Sequence, residues 1–263
     1  MLPALTLQKT DYLPSFEKVH WENIDPQYSF TKEQQLSFKR SRIDVIIMKK
    51  ESDPKAKYEL FQRLNTGGSK LSDQEVRNCL MIMTNRKFYD FILELSESED
   101  YKNCLPISER LIDEQYRMEL LLRMLIPEFI KWDEIEQYSD LSELLDKETI
   151  RLCSLELNYG VLKVRFERTF AILNKLFEDN VFRRYTGEKY KGAVLVSAFQ
   201  DTATGVFHNI EAILNKPDAE TWLMDKVKGL YNTEEYEKNT VPGARAIPRF
   251  KELSLHGVKY YMP

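Results

Sequence analysis

Two long stretches carry apolar residues at the helical period, and they restrict the fold more than any other feature. In "LNYGVLKVRFERTFAILNKLF", Leu162, Phe166, Phe170, Leu173 and Phe177 fall on one stripe. In "GAVLVSAFQDTATGVFHNIEAIL", Leu195, Phe199, Val206, Ile210 and Ile213 do the same. Spacings of three, four and seven share one face only in an α-helix, because a strand turns successive side chains to opposite faces. "QYRMELLLRMLIPEFI" is apolar on most sides, which predicts a buried helix with Glu119 and Arg123 as an i,i+4 pair on its polar stripe. "TWLMDKVKGLY" follows Thr221, its expected cap, and the tail "NTVPGARAIPRFKELSLHGVKYYMP" reads as basic and turn-rich with one short helix. The expectation is a mainly α chain.

The N-terminal part is more mixed. The first thirty residues are short apolar pieces broken by prolines, which predicts irregular structure or short strands. Thr31 stands as N-cap before the short helix "KEQQLSFKRS". "RIDVIIMKK", with Ile43, Val45, Ile46 and Ile47, is the best strand candidate. "DPKAKYELFQRLN" offers Asp53 as N-cap and Pro54 at the first helical position, and Asn65, Gly67 and Gly68 stop that helix. "SDQE" is a capping box in which Ser72 and Glu75 satisfy each other's backbone amides. The pattern changes between Cys79 and Ile107, so the expected organisation is residues 1–90 followed by a helical domain over 91–263.

Bulk properties exclude several classes. A chain of 263 residues with net charge −4 and a pI near 5.6 is no general polyanion binder, so any nucleic-acid contact must come from a local basic patch. Cys79, Cys104 and Cys153 form no CxxC pair, which fits a reducing cytoplasm. Three dispersed histidines, His20, His208 and His256, argue against a His/Cys metal site or an HNH-type nuclease. No stretch has the length of a membrane span, so no membrane partner is expected. P-loop, GxGxxG, HExxH and GxSxG motifs are all missing from the sequence.

Three candidate sites remain. The first is "FQRLNTGGSKLSDQEVRN", where turn chemistry alone accounts for Asn65, Gly67, Gly68, Ser72 and Glu75. The alternative is that exposed amides of the Gly-Gly turn bind an anion at the start of the next helix, helped by Arg63 and Lys70. The second is the basic group Lys39, Arg40, Arg42, Lys49 and Lys50 around the expected strand. The third is the tail, with Arg245, Arg249 and Lys251; such basic segments are usually solvated.

The segment "DPKAKYELFQRLNTGGSKLSDQEVRNCL" resembles a characteristic stretch of the GmrSD restriction endonuclease N-terminal domain family, a ParB/sulfiredoxin-like group. The matching positions are Phe61, Arg63, Leu64, Asn65, Thr66, Gly67, Gly68, Leu71 and Glu75, with Arg77 and Asn78 just behind. "RIDVIIMKK", "LPSFEKVHWENI" with Trp21, and "YRMELLLRMLI" are similar to neighbouring family segments, so the likeness runs from about Leu5 to Ile126. The family's Asp-Gly-Gln-Gln-Arg motif, which carries its proposed nucleotide chemistry, is not found in the sequence. The Gln-Gln pair of "KEQQLSFKR" has no Asp-Gly before it.

The resemblance implies a partial ParB-like α+β part followed by a helical bundle. It implies a DNA- or nucleotide-binding, regulatory role in a prokaryotic anti-phage or modification-dependent restriction system, not catalytic by itself. Phosphate would meet Arg63, Asn65, Thr66, Gly67, Gly68 and Lys70, while Ser72 and Glu75 cap the following helix. The implied cofactor is a nucleotide with Mg²⁺. The implied partners are DNA and a protein or upstream segment that supplies the rest of the ParB-like domain. Two other readings stay open. One is a divalent-metal nuclease or NTPase using acids such as Asp44, Glu59 and Glu75; the other is a structural helical interaction protein.

Overall fold

The computed structural model describes residues 17–42 and 71–263. Contacts divide the chain into two compact units, Met1–Ser52 and Asp53–Pro263. This division differs from the expected change between Cys79 and Ile107. Helices within that interval and beyond it share one core, because Met81, Phe88 and Ile92 bury in the same cluster as Leu121, Phe166 and Phe207.

In the first unit, His20 and Ser29 form an isolated parallel bridge, and Asp25 accepts from the Gln27 amide at a short turn over Pro26–Tyr28. Helix α1 (Lys32–Arg40) starts at a complete capping box between Thr31 and Gln34. Trp21 packs on Phe30 and Phe38, with the Lys39 ammonium 5.5 Å above its ring.

The second unit is mainly helical. Its elements are α2 (Asp73–Thr84), α3 (Arg86–Ser96), α4 (Glu99–Cys104), α5 (Glu109–Asp113), α6 (Tyr116–Leu125) and α7 (Leu141–Cys153). These are followed by α8 (Tyr159–Phe177), a two-residue hairpin β1 (Arg184–Tyr185) and β2 (Tyr190–Lys191), α9 (Val196–Leu214), α10 (Ala219–Gly229), α11 (Glu234–Asn239) and α12 (Ala246–Tyr260). The hairpin is antiparallel, with Arg184 opposite Lys191, and Gly187 takes the positive φ that its turn requires.

The apolar stripes account for the core. Phe166, Phe170 and Leu173 of α8 and Phe199, Val206, Ile210 and Ile213 of α9 are fully buried. Helix α9 is the central element and packs on α12, α8 and α6. It meets α12 through two glycines. A Cβ on Gly257 would lie 2.1 Å from the Asp201 carbonyl oxygen, and one on Gly205 would lie 2.3 Å from the Gly257 carbonyl oxygen. Only hydrogen at both positions allows this approach.

Helix α2 is fastened by charge. The Arg77 side chain is 1% exposed; its Nε donates to Asp146 of α7 at 2.7 Å, and its Nη1 donates to Glu119 of α6 at 2.9 Å and to Gln74 at 3.0 Å. Burial opposes ionisation of Arg77, but Glu119 and Asp146 outweigh it and hold the guanidinium pKa above its ordinary value. Burial likewise opposes the Glu119 carboxylate, and Arg123 with Arg77 outweighs it and holds that pKa down. The Glu119–Arg123 pair forms at 2.7 Å, as its spacing predicts.

Two local expectations are corrected. Thr221 lies inside α10, whose N-cap is Asp218. The tail contains a fifteen-residue helix, α12, because Phe250, Leu253 and Gly257 form a buried face against α9. The strand "RIDVIIMKK" and the helix "DPKAKYELFQRLN" lie outside the described residues, apart from Arg42.

Candidate anion-binding site

Arg63, Asn65, Thr66, Gly67, Gly68 and Lys70 also lie outside the described residues. Ser72 and Glu75 are described, and the capping box is complete. The Ser72 hydroxyl accepts from the Glu75 amide at 3.2 Å, and a Glu75 carboxylate oxygen accepts from the Ser72 amide at 2.7 Å. Ser72 also donates to the Glu114 carbonyl at 3.0 Å, tying the start of α2 to the end of α5. Arg77, next to the motif, is spent on Glu119 and Asp146 and faces the core. Lys39 and Arg40 end α1; Lys49 and Lys50 fall outside the described residues.

The tail residues are placed differently from the solvated segment their composition suggests. Arg249, in the first turns of α12, lines a cavity of about 270 Å³. Arg123, Leu141, Val196, Ser197, Gln200, Ala246, Phe250 and Leu253 complete it, so α6, α7, α9 and α12 all contribute. Arg245 lines an adjoining groove with Glu136 and Asp140, where the charge is mixed.

Two features make this cavity electropositive. The first is helix geometry. Gln200 pairs with Ser254 and, further along, Asn209 pairs with Val258, so α9 and α12 run in the same general sense. Residues of their first turns line the cavity, which puts both N-termini at one end. Neither end has a side-chain cap: the N-cap positions are Leu195 and Arg245. An uncapped N-terminus leaves amide donors unsatisfied and carries a partial positive charge of about half a unit. Pro248 removes one donor in the first turn of α12 at no cost, since that amide has no partner within the helix. The N-terminus of α7 is different, because Asp140 accepts from the Glu143 amide there.

The second feature is the pair of arginines. Arg123 uses Nε and Nη2 on Glu119, which leaves Nη1 outside that pair. Arg249 is half-buried and makes no ion pair or side-chain hydrogen bond with the described residues. A half-buried guanidinium beside two positive helix ends suits an anion held by bidentate hydrogen bonds.

Two carboxylate–histidine pairs lie elsewhere. On the surface, Glu128 meets His208 Nδ1 at 2.8 Å and accepts from Arg165 at 2.9 Å. This arrangement joins the Ile126–Glu128 turn to α8 and α9. Inside, Asp201 is fully buried between α9 and α12, with His256 Nδ1 at 2.6 Å. Burial pushes the Asp201 carboxyl up to about 6, and the His256 hydrogen bond only partly offsets it. Among the described residues no group of three His, Cys, Asp or Glu could hold a metal ion, and Glu75 is committed to its cap. No helix of the described residues is long and apolar enough to cross a membrane.

Sequence reasoning named Arg249 only as part of a basic tail and Arg123 only as one member of a helical pair. It missed Gln200 and the paired helix ends, which come together only in the tertiary fold. The local signal was that neither α9 nor α12 has Ser, Thr, Asp or Asn at its N-cap position. No protein-family model, curated protein or solved structure matches this chain.

Proposed function

We propose that this chain is a ligand-binding, regulatory component whose cavity between α6, α7, α9 and α12 takes a phosphate-bearing small molecule. The observation that carries this reading is the convergence of two uncapped helix N-termini with Arg123 and Arg249 on one 270 Å³ cavity. Phosphate would accept from first-turn amides of α9 and α12 and from the Arg249 guanidinium. The resemblance of the Phe61–Asn78 segment to GmrSD N-terminal domains supports a nucleotide as the ligand and a DNA-defence system as the setting. In that setting the Arg63–Lys70 turn, with its Gly67 and Gly68 amides, contacts DNA or nucleotide phosphate, and a ParB-like partner segment completes the assembly.

Titration calorimetry on the whole chain tests this, with nucleoside mono- and triphosphates, inorganic phosphate and duplex DNA as titrants. Arg249→Ala should weaken phosphate-bearing ligands about tenfold or more, since a charge-assisted hydrogen bond contributes roughly 1.5–3 kcal/mol. Its melting temperature should stay within about 2 °C of the parent, because Arg249 supports no other group. Loss of binding in Arg63→Ala but not in Arg249→Ala would move the site to the turn and refute the cavity.

A further inference from the structure

We infer that anion binding in this cavity is coupled to the seating of α2, through a buried charge relay that runs from Arg123 by way of Glu119 to Arg77. The inference rests on the anion-site reading above and concerns how that site is regulated. Arg123 lines the cavity, whereas Glu119, Arg77 and Asp146 do not. One Glu119 carboxylate oxygen accepts from Arg123 Nε at 3.0 Å and Nη2 at 2.7 Å, and the other accepts from Arg77 Nη1 at 2.9 Å. Arg77 Nε donates to Asp146 at 2.7 Å. Its Nη2 donates to Ser142 at 3.2 Å, and Ser142 donates to Asp73, the first residue of α2, at 2.8 Å. The chain of hydrogen bonds is therefore unbroken from the cavity wall to the start of α2.

The charges along this chain alternate. The Arg77, Glu119 and Asp146 side chains are 1%, 10% and 12% exposed, so salt screens them little. Glu119 divides its charge between two cations, which leaves Arg123 with attraction for an anion. Take Arg77 away, by substitution or by lifting α2 off the bundle, and Glu119 acts on Arg123 alone while Asp146 loses its cation. The cavity wall becomes less positive, and an anion there is held less tightly. Asp146 works in the opposite sense. Neutralising it leaves Arg77 to Glu119 alone, which frees more of the Arg123 charge for a ligand. Coupling between two equilibria is reciprocal, so an anion beside Arg123 favours the seated α2 by the same factor.

The test titrates the whole chain with inorganic phosphate and with adenosine 5′-monophosphate, in the parent, Arg77→Met and Asp146→Asn. Arg77→Met should weaken both probes by about fivefold or more, the low end of typical couplings between sites. Asp146→Asn should bind both at least as tightly as the parent, although it too breaks a buried pair. A merely structural role for the network would weaken binding in both variants. Saturating adenosine 5′-monophosphate should also slow amide hydrogen exchange in α2 of the parent more than in α10, which shares no member of the relay. If Arg77→Met does not fold, Asp146→Asn and the exchange of the parent decide. Equal affinities in all three proteins, or a loss in both variants, would overturn the coupling and leave the anion site standing. Failure of both probes to bind the parent would overturn both.

Discussion

Replacing Arg77 by Met probes the fastening of α2. The guanidinium sits between α2, α6 and α7 and donates to Asp146, Glu119, Gln74 and Ser142 at 2.7 to 3.2 Å. Methionine fills much of the space but leaves Asp146 and Glu119 buried without the cation between them. Breaking a buried pair by removing one partner costs roughly 3–5 kcal/mol, because the buried carboxylates lose their shared cation, while Glu119 keeps Arg123. For a chain of this size each kcal/mol moves the melting temperature by roughly 2–4 °C, so a drop of about 6–20 °C is expected. Arg77→Lys keeps the charge but not the fork and should fall between parent and Met. The pH dependence follows from Glu119. Its folded pKa is depressed, so its contribution is present above the ordinary carboxylate range and is lost as pH falls through the folded value. The gap between parent and Arg77→Met should therefore narrow in acid. Differential scanning calorimetry at neutral and acid pH reads both quantities. A neutral-pH shift under about 2 °C, with cooperative unfolding retained, would show that this network does not hold α2 in place.

Three further outcomes follow from single contacts. Gly257→Ala forces a Cβ to 2.1 Å from the Asp201 carbonyl oxygen, so α9 and α12 must separate; overpacking of this kind costs about 1–3 kcal/mol, read as a lower urea midpoint. Asp201 has its carboxyl raised from 3.8 to about 6, so its contribution is fully present below 3.8 and is lost as pH rises through about 6. Asp201→Asn removes that loss and should gain on the parent between pH 4 and 7 by up to about 3 kcal/mol, at roughly 1.4 kcal/mol per pH unit; parallel urea curves at the two pH values check it. Ser72→Ala removes both an N-cap and the bond to the Glu114 carbonyl, and should lower stability by about 1–2 kcal/mol in the same assay.

Much of the helical fold was legible because burial acts on one helix at a time. The stripe from Leu162 to Phe177 and that from Phe199 to Ile213 each declare a buried face without reference to a partner. Capping is equally local, and the Thr31–Gln34 and Ser72–Glu75 boxes are written within four residues. The tail was misread because its helix depends on a remote neighbour: Gly257 makes little sense until Gly205 and Asp201 stand opposite. The Thr186–Gly187 turn of the small hairpin was also passed over, since two-residue strands leave almost no alternation to detect. The cavity was out of reach for the same reason as Gly257. Arg123, Gln200 and Arg249 belong to three helices, and each alone is an ordinary helical residue. Their common meaning depends on two helix ends meeting, which no single window of sequence contains.

The most direct measurement is anomalous diffraction from crystals of the whole chain soaked in tungstate, a heavy analogue of phosphate. The account predicts a tungsten peak in the cavity, within hydrogen-bonding reach of the Arg249 guanidinium and the first-turn amides of α9 or α12. An empty cavity in crystals that bind tungstate elsewhere would contradict it.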